Sequence, residues 1–275
     1  MKKGILYSCF IIASFVFLND VSFAKLTYQQ INLLLENDDI QMFTISSVLV
    51  KKSSMSIEHS SDSSQSKTIV EYDEKGLLIN YYSAAAIGST AEAQRTMITT
   101  LMRNGDNKWQ RKQTVGSYEI DNSLYVLKNN AIEITLLPSY DFNEERVILQ
   151  HNNLLDSGEF GVIFEYKKPV ENEKFSIEYL FDPKGSLNLY RFTNIDSNEY
   201  GYESMVSTQF EYDDRQRLVK ANEYSHYQFM TELADSITTQ IIYSNFDEYG
   251  NWLTKVEQAE GKQTVYKRTI EYWNS

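Results

Sequence analysis

Phe246-Asp247-Glu248-Tyr249-Gly250-Asn251-Trp252 prescribes how this chain turns. Asp at the first position of a type I turn accepts hydrogen bonds from the backbone amides ahead of it. Gly, three residues on, takes the left-handed conformation and forms the bulge that lets the returning strand match the twist. Asp247 then pairs with Asn251, and Phe246 faces Trp252 across the hairpin. Such an aromatic pair is worth about 0.2–1 kcal/mol over Ala–Ala. Only Glu248 and Tyr249, at the exposed tip, are left without a structural duty.

The pattern aromatic-Asp-x-x-Gly-x-apolar recurs. Tyr72–Leu78, Phe181–Leu187 and Tyr212–Leu218 align with Phe246–Trp252, and the last three aspartates are 31 and 34 residues apart. That spacing lies in the range of repeat architectures. Pro183 occupies the position whose φ it pre-sets. The third copy departs from the pattern, with Gln216 in place of Gly. A side chain must then enter the left-handed region, at a cost of about 1–2 kcal/mol, and this hairpin end is expected to be the loosest of the four.

Flanked by strands, these segments resemble the YD-repeat (Rhs-type) hairpin-repeat sequences, particularly bacterial exported proteins whose copies end in Gly-Asn-Trp. The resemblance covers residues 67–82 and 175–273. Large members of that group use dozens of repeats to build a closed β shell around a toxin. Four copies are too few for such a shell, so encapsulation is not implied. The resemblance implies fold, and fold does not carry function.

The first 24 residues differ from the rest. Lys2 and Lys3 precede an apolar run from Ile5 to Leu18, and Ser22-Phe23-Ala24 supplies small residues before Lys25. This is the anatomy of a secretory signal peptide, too short and wrongly flanked for a spanning helix. Cleavage after Ala24 leaves 24 basic against 37 acidic side chains, a formal charge of −13, and removes Cys9, the one cysteine. The acidic balance disfavours nucleic acid and acidic lipid. Without cysteine the mature chain has no disulfide, thiol nucleophile or thiolate metal site. Twenty tyrosines and fourteen phenylalanines favour strands. With three prolines and eleven glycines, the turns must lean on Asp and Asn.

Along the chain, apolar spacing over Leu26, Ile31, Leu34 and Leu35, with Thr27 as cap, predicts a helix at about 27–43. Ser60–Ser66 reads as a polar loop. Ser89-Thr90-Ala91-Glu92 fits a capping box, but the β-rich run Thr96–Leu101 and the turn Asn104-Gly105-Asp106 favour a hairpin of 95–103 with 108–116. Asn129-Asn130 splits strands Leu124–Leu127 and Ile132–Leu137, and Val147–Gln150 and Phe160–Tyr166 are further strands. No composition break divides residues 25–275, which read as one domain.

Chemistry is sparse. His59, His151 and His226 are isolated, Asp38-Asp39 and Asp213-Asp214 lack the pattern of a calcium loop, and no Gly-x-Ser-x-Gly elbow or Gly-rich phosphate loop occurs. Ser64-Gln65-Ser66-Lys67 matches Ser-x-x-Lys without its companion motifs. The acidic residues offer many carboxylate pairings for glycosidase work, whose separations the sequence does not give. Tyrosines are enriched at binding hot spots. Glu248, Tyr249, Tyr200, Tyr202, Tyr224 and Tyr227 therefore form the candidate binding surface, with cross-strand packing as the alternative role for the tyrosines.

The expected fold is all-β: a mainly antiparallel sheet of consecutive β-hairpins, open or strongly curved, with one N-terminal helix. The expected function is an exported, periplasmic or secreted bacterial protein that binds or scaffolds without enzymatic activity. It would contact an unknown protein partner through a sheet face, with no cofactor, no nucleic acid and no membrane insertion after signal cleavage. The alternatives are an immunity-type protein neutralising a toxin and an exported carboxylate-dependent glycan hydrolase.

Overall fold

Each Asp turn closes its hairpin with the same hydrogen bonds. Asp247 Oδ1 accepts from the amides of Tyr249 and Asn251 at 3.0 and 2.9 Å. Asp73, Asp182 and Asp213 do the same two and four residues ahead. Gly76, Gly185 and Gly250 have φ of 80°, 90° and 85°, and Gln216 is forced to 61°. The pairs beyond the turns are Tyr72 with Leu78, Phe181 with Leu187, Tyr212 with Leu218 and Phe246 with Trp252. Asparagine supplies other turns. Asn129 and Asn130 both take positive φ, as two-residue hairpin loops require.

The computed structural model describes residues 26–35, 50–60, 65–87, 95–138, 145–155, 157–168, 172–197, 201–229 and 234–273. The proposed signal segment, the end of the expected helix, most of the Ser-rich loop, the capping-box segment and Tyr200 lie outside them. One helix, α1 (Tyr28–Leu35), precedes the strands. The first eight strands are β1 (Val50–Ser60), β2 (Ser66–Tyr72), β3 (Leu78–Ile87), β4 (Arg95–Arg103), β5 (Lys108–Val115), β6 (Tyr118–Lys128), β7 (Ala131–Leu136) and β8 (Arg146–Leu154). The other eight are β9 (Phe160–Tyr166), β10 (Glu173–Phe181), β11 (Leu187–Asp196), β12 (Tyr202–Tyr212), β13 (Leu218–Phe229), β14 (Asp235–Phe246), β15 (Trp252–Ala259) and β16 (Lys262–Tyr272). Each strand pairs antiparallel with its neighbours in sequence, and β1 pairs with β16 from Val50↔Tyr272 to Ser60↔Thr264.

That last pairing closes the sheet into a sixteen-stranded barrel among the described residues and corrects the expected open or strongly curved sheet. Closure satisfies two long edges that would otherwise invite aggregation. It also corrects the view, drawn from the YD-type resemblance, of an unclosed hairpin-repeat scaffold. Four Asp turns do not make a shell, but hairpins with other turns complete the ring.

Strand alternation sorts side chains between lumen and outside. Toward the end that carries the Asp turns the lumen is a packed core. Trp109 is fully buried and donates its indole N–H to the Leu78 carbonyl at 2.9 Å. Tyr179 packs against Phe164 and Tyr190, with ring centroids 6.2 and 5.4 Å away. Helix α1 plugs this end. Thr27 and Gln30 form a reciprocal capping box, Gln30 N–H to Thr27 Oγ1 at 3.2 Å and Thr27 N–H to Gln30 Oε1 at 2.9 Å. Leu33, Leu34 and Leu35 join the core. Asn32, itself buried, donates to the Gly76 carbonyl at 2.7 Å and accepts from the Leu78 amide at 2.8 Å.

The outside carries charge pairs such as Lys52–Glu71 at 3.0 Å, Arg191–Glu178 at 3.1 Å and Lys220–Glu211 at 3.2 Å. The expectation of no membrane insertion is corrected too. It rested on helices, and no described helix is long and apolar enough to cross a membrane. A closed barrel is the other structure that can cross one, with strands.

Candidate binding site

Away from the plugged end the lumen is no longer filled. A cavity of about 550 Å³ lies between inward-facing residues on either side of the β1–β16 seam. That volume is within the range of small-molecule sites. Met55 and Ile57 of β1 form its floor, with Tyr81, Ala85 and Met97 beside them. Ser66 and Thr68 of β2, Ser83 of β3, Thr99 of β4 and Gln113 of β5 make a neutral hydrogen-bonding wall. Gln113 Nε2 donates to Thr99 Oγ1 at 3.0 Å, and the Thr68 and Ser83 hydroxyls are 3.3 Å apart.

The other wall is charged. The i, i+2 spacing of Lys255 and Glu257 puts both on the lumenal face of β15, and Tyr266 is the cross-strand partner of Lys255 on β16. Lys255 is 3% exposed, with Nζ 2.8 Å from Glu257 Oε1 and 3.9 Å from the Tyr266 ring centroid. Tyr266 Oη donates to Glu257 Oε2 at 2.8 Å. Carboxylate, ammonium and phenol thus contact one another, and the charges of Glu257 and Lys255 balance.

Glu223 of β13 is the second carboxylate. Thr208 Oγ1 donates to its Oε2 at 3.3 Å and Ser225 Oγ to its Oε1 at 3.4 Å. Burial, and then the negative charge of Glu257, push its carboxyl above the ordinary carboxylate range, against the pull of those hydroxyls and Lys255. The sequence held one cue to it. Glu223 alternates with Ala221 and Ser225, small residues on the buried face. Lys255, Glu257 and Tyr266 had no such signal, because their convergence with Glu223 needs the closed sheet.

Of the six residues proposed from sequence, the five that are described do not converge. Tyr224 points outward from β13, 45% exposed, its hydroxyl donating to Ser236 Oγ at 3.2 Å. Tyr227 is on the opposite face of the same strand, and Tyr202 begins β12 half-buried. Glu248 and Tyr249 lie at the plugged end, in a shallow concavity of about 260 Å³ shared with Arg215, Gln216 and Arg217 of the neighbouring turn. Tyr249 does have a structural duty, packing edge-on against Tyr272 with centroids 4.6 Å apart. The Tyr272 hydroxyl in turn bonds Asp247. Arg217 is committed as well, to Asp213 at 2.6 Å and over the Phe246 ring at 4.5 Å.

Among the described residues no group of three or more His, Cys, Asp or Glu is arranged to hold a metal ion. His151 is exposed, and His226 Nδ1 lies 2.9 Å from Ser236 Oγ.

No family model matches the chain, and no curated protein matches it. Among solved structures it is similar to a porin-like protein from Bacteroides uniformis ATCC 8492, at 12% identity and a TM-score of 0.40, over 81% of this chain and 98% of that one. The closed barrel overturns the sequence-derived function of a binding or scaffolding protein that meets a partner through a sheet face. One face of its sheet is the lumen, and the candidate tyrosines among the described residues share no surface. The toxin-neutralising alternative was one form of that binding reading, and the glycan-hydrolase alternative asked for two carboxylates in a groove of the same hairpin-repeat protein; the closed barrel replaces the fold on which both were placed. The cell envelope, the broader part of the expected location, is compatible with a barrel.

Proposed function

We propose that this chain is an exported binding barrel that holds a small polar molecule in its lumen. The observation that carries this is the cavity of about 550 Å³, in which the half-buried Glu223 carboxylate meets two hydroxyls at 3.3 and 3.4 Å. Filling the remaining lumen with apolar side chains would have completed the core begun at the other end. Instead the chain places hydroxyls, amides and charges there, which cost stability unless they are hydrogen-bonded.

Native mass spectrometry of protein taken from its own cellular compartment tests this. The expected result is a small-molecule adduct that denaturation releases and that Ala85→Trp, which fills the cavity, abolishes. Identical native and denatured masses, together with Met55 and Met97 methyl signals that no small polar solute moves, would overturn it.

Cleavage after Ala24 and delivery to the periplasm or the medium belong to the same proposal. They are supported by the basic, apolar and small-residue order of residues 1–24. N-terminal sequencing should begin at Lys25, and fractionation should recover the protein in the periplasm or medium. Recovery with the outer membrane would overturn that location.

A further inference from the structure

We infer that the lumenal ligand is a small polyol bearing one ammonium group, an amino sugar in chemical class, with its amine seated on Glu223. This rests on the lumenal-binding reading above and deepens it. Glu223, Lys255 and Glu257 are the charged groups lining the cavity, so with all three ionised it carries one net negative charge. Lys255 does not call for an anion, because its ammonium lies against both Glu257 and the Tyr266 ring. Glu257 is likewise engaged twice, by Lys255 and by the Tyr266 hydroxyl. Glu223 receives only neutral hydroxyls from its own strand and from β12. It faces Thr239 across to β14. Two carboxylates thus share one cation, Lys255, which is paired to Glu257 and only partly offsets the cost of placing the Glu223 charge in the lumen; an ammonium is the partner that balances the second carboxylate.

The facing wall sets the rest of the ligand. Ser66, Thr68, Ser83, Thr99 and Gln113 are neutral and both donate and accept, which suits several hydroxyls rather than a second charge. Burial and the charge of Glu257 already hold the Glu223 carboxyl above the ordinary range. An arriving ammonium favours its ionised form, so binding releases a proton where Glu223 is otherwise protonated.

Titration calorimetry with D-glucosamine, N-acetyl-D-glucosamine and D-glucose tests the inference, with Met55 and Met97 methyl signals locating the site. Glucosamine should bind about tenfold or more tightly than the two neutral sugars, with proton release at mildly acidic pH. Glu223→Gln should abolish both the preference and the release, while keeping a native circular dichroism spectrum. Equal binding of the three sugars, or an unchanged preference in Glu223→Gln, overturns the amine assignment. If no sugar binds and native mass spectrometry releases a molecule without an amine, the assignment falls and the lumenal reading stands. If neither sugar nor adduct is seen, both fall.

Discussion

Gln216, at φ 61°, occupies the place that three sister turns give to glycine. Its compensation is slight: Oε1 accepts a long 3.4 Å bond from Ser186. Gln216→Gly should therefore stabilise the protein by about 1 kcal/mol, the left-handed strain being partly offset by glycine's greater freedom when unfolded. For a chain of this size that raises Tm by about 2–4 °C; thermal denaturation that gave a lower Tm would refute the assignment. This residue was legible because a turn is made by its own neighbours. Tyr249 was not, since its partner Tyr272 comes from another strand. Glu223 gives a pH-dependent prediction. Its carboxyl titrates higher in the folded state than in the unfolded one, so the unfolded state loses its proton first. Stability is full below the ordinary carboxylate range and falls as pH rises through the folded value. Glu223→Gln should melt with the parent at pH 4 and a few degrees above it at pH 8. A gap of the same size at both pH values would show that burial of the charge is not the cause.

At the scale of elements, local rules wrote most of what is seen. Thr27 and Gln30 stand at capping-box spacing, and Leu33, Leu34 and Leu35 are the buried end of the helix they start. Hairpin β4–β5 follows from Asn104-Gly105-Asp106, with Arg103 opposite Trp109. The seat of the helix was not legible, because its anchor residue bonds a turn 44–46 positions away. Asn32 closes both the Gly76 carbonyl and the Leu78 amide from inside the core. Asn32→Ala would leave these groups without that partner, and we expect a loss of about 2–3 kcal/mol. The loss should show first as faster hydrogen exchange at Leu78 and in the β2–β3 hairpin, ahead of global unfolding. Uniformly faster exchange along the barrel would mean that α1 acts on the whole fold rather than as a plug on one turn.

Closure belongs to the whole molecule, and nothing local announces it. Every hairpin brings near neighbours together, whereas the β1–β16 pair joins residues more than 200 positions apart, with Arg268 Nε donating to Ser53 Oγ at 2.8 Å across the seam. Strand alternation reads the same for an open sheet and a closed one; only the buried area on the inner face tells them apart. The candidate site shares this origin, since its neutral wall (β2–β5) and charged wall (β13–β16) meet through β1. One lesion should therefore remove fold closure and ligand site together. Thr269 stands opposite Ser54 in the seam, and proline there removes a ladder donor and distorts a central strand, at a cost of about 3 kcal/mol or more. Thr269→Pro should leave the β6–β12 hairpins protected from hydrogen exchange while β1, β2, β15 and β16 lose protection. The exposed edges should associate, giving dimers or larger species by light scattering. The adduct sought by native mass spectrometry should vanish with closure, although Thr269 does not line the cavity. An adduct retained by a variant with an open seam would show that the lumen is not where the ligand sits.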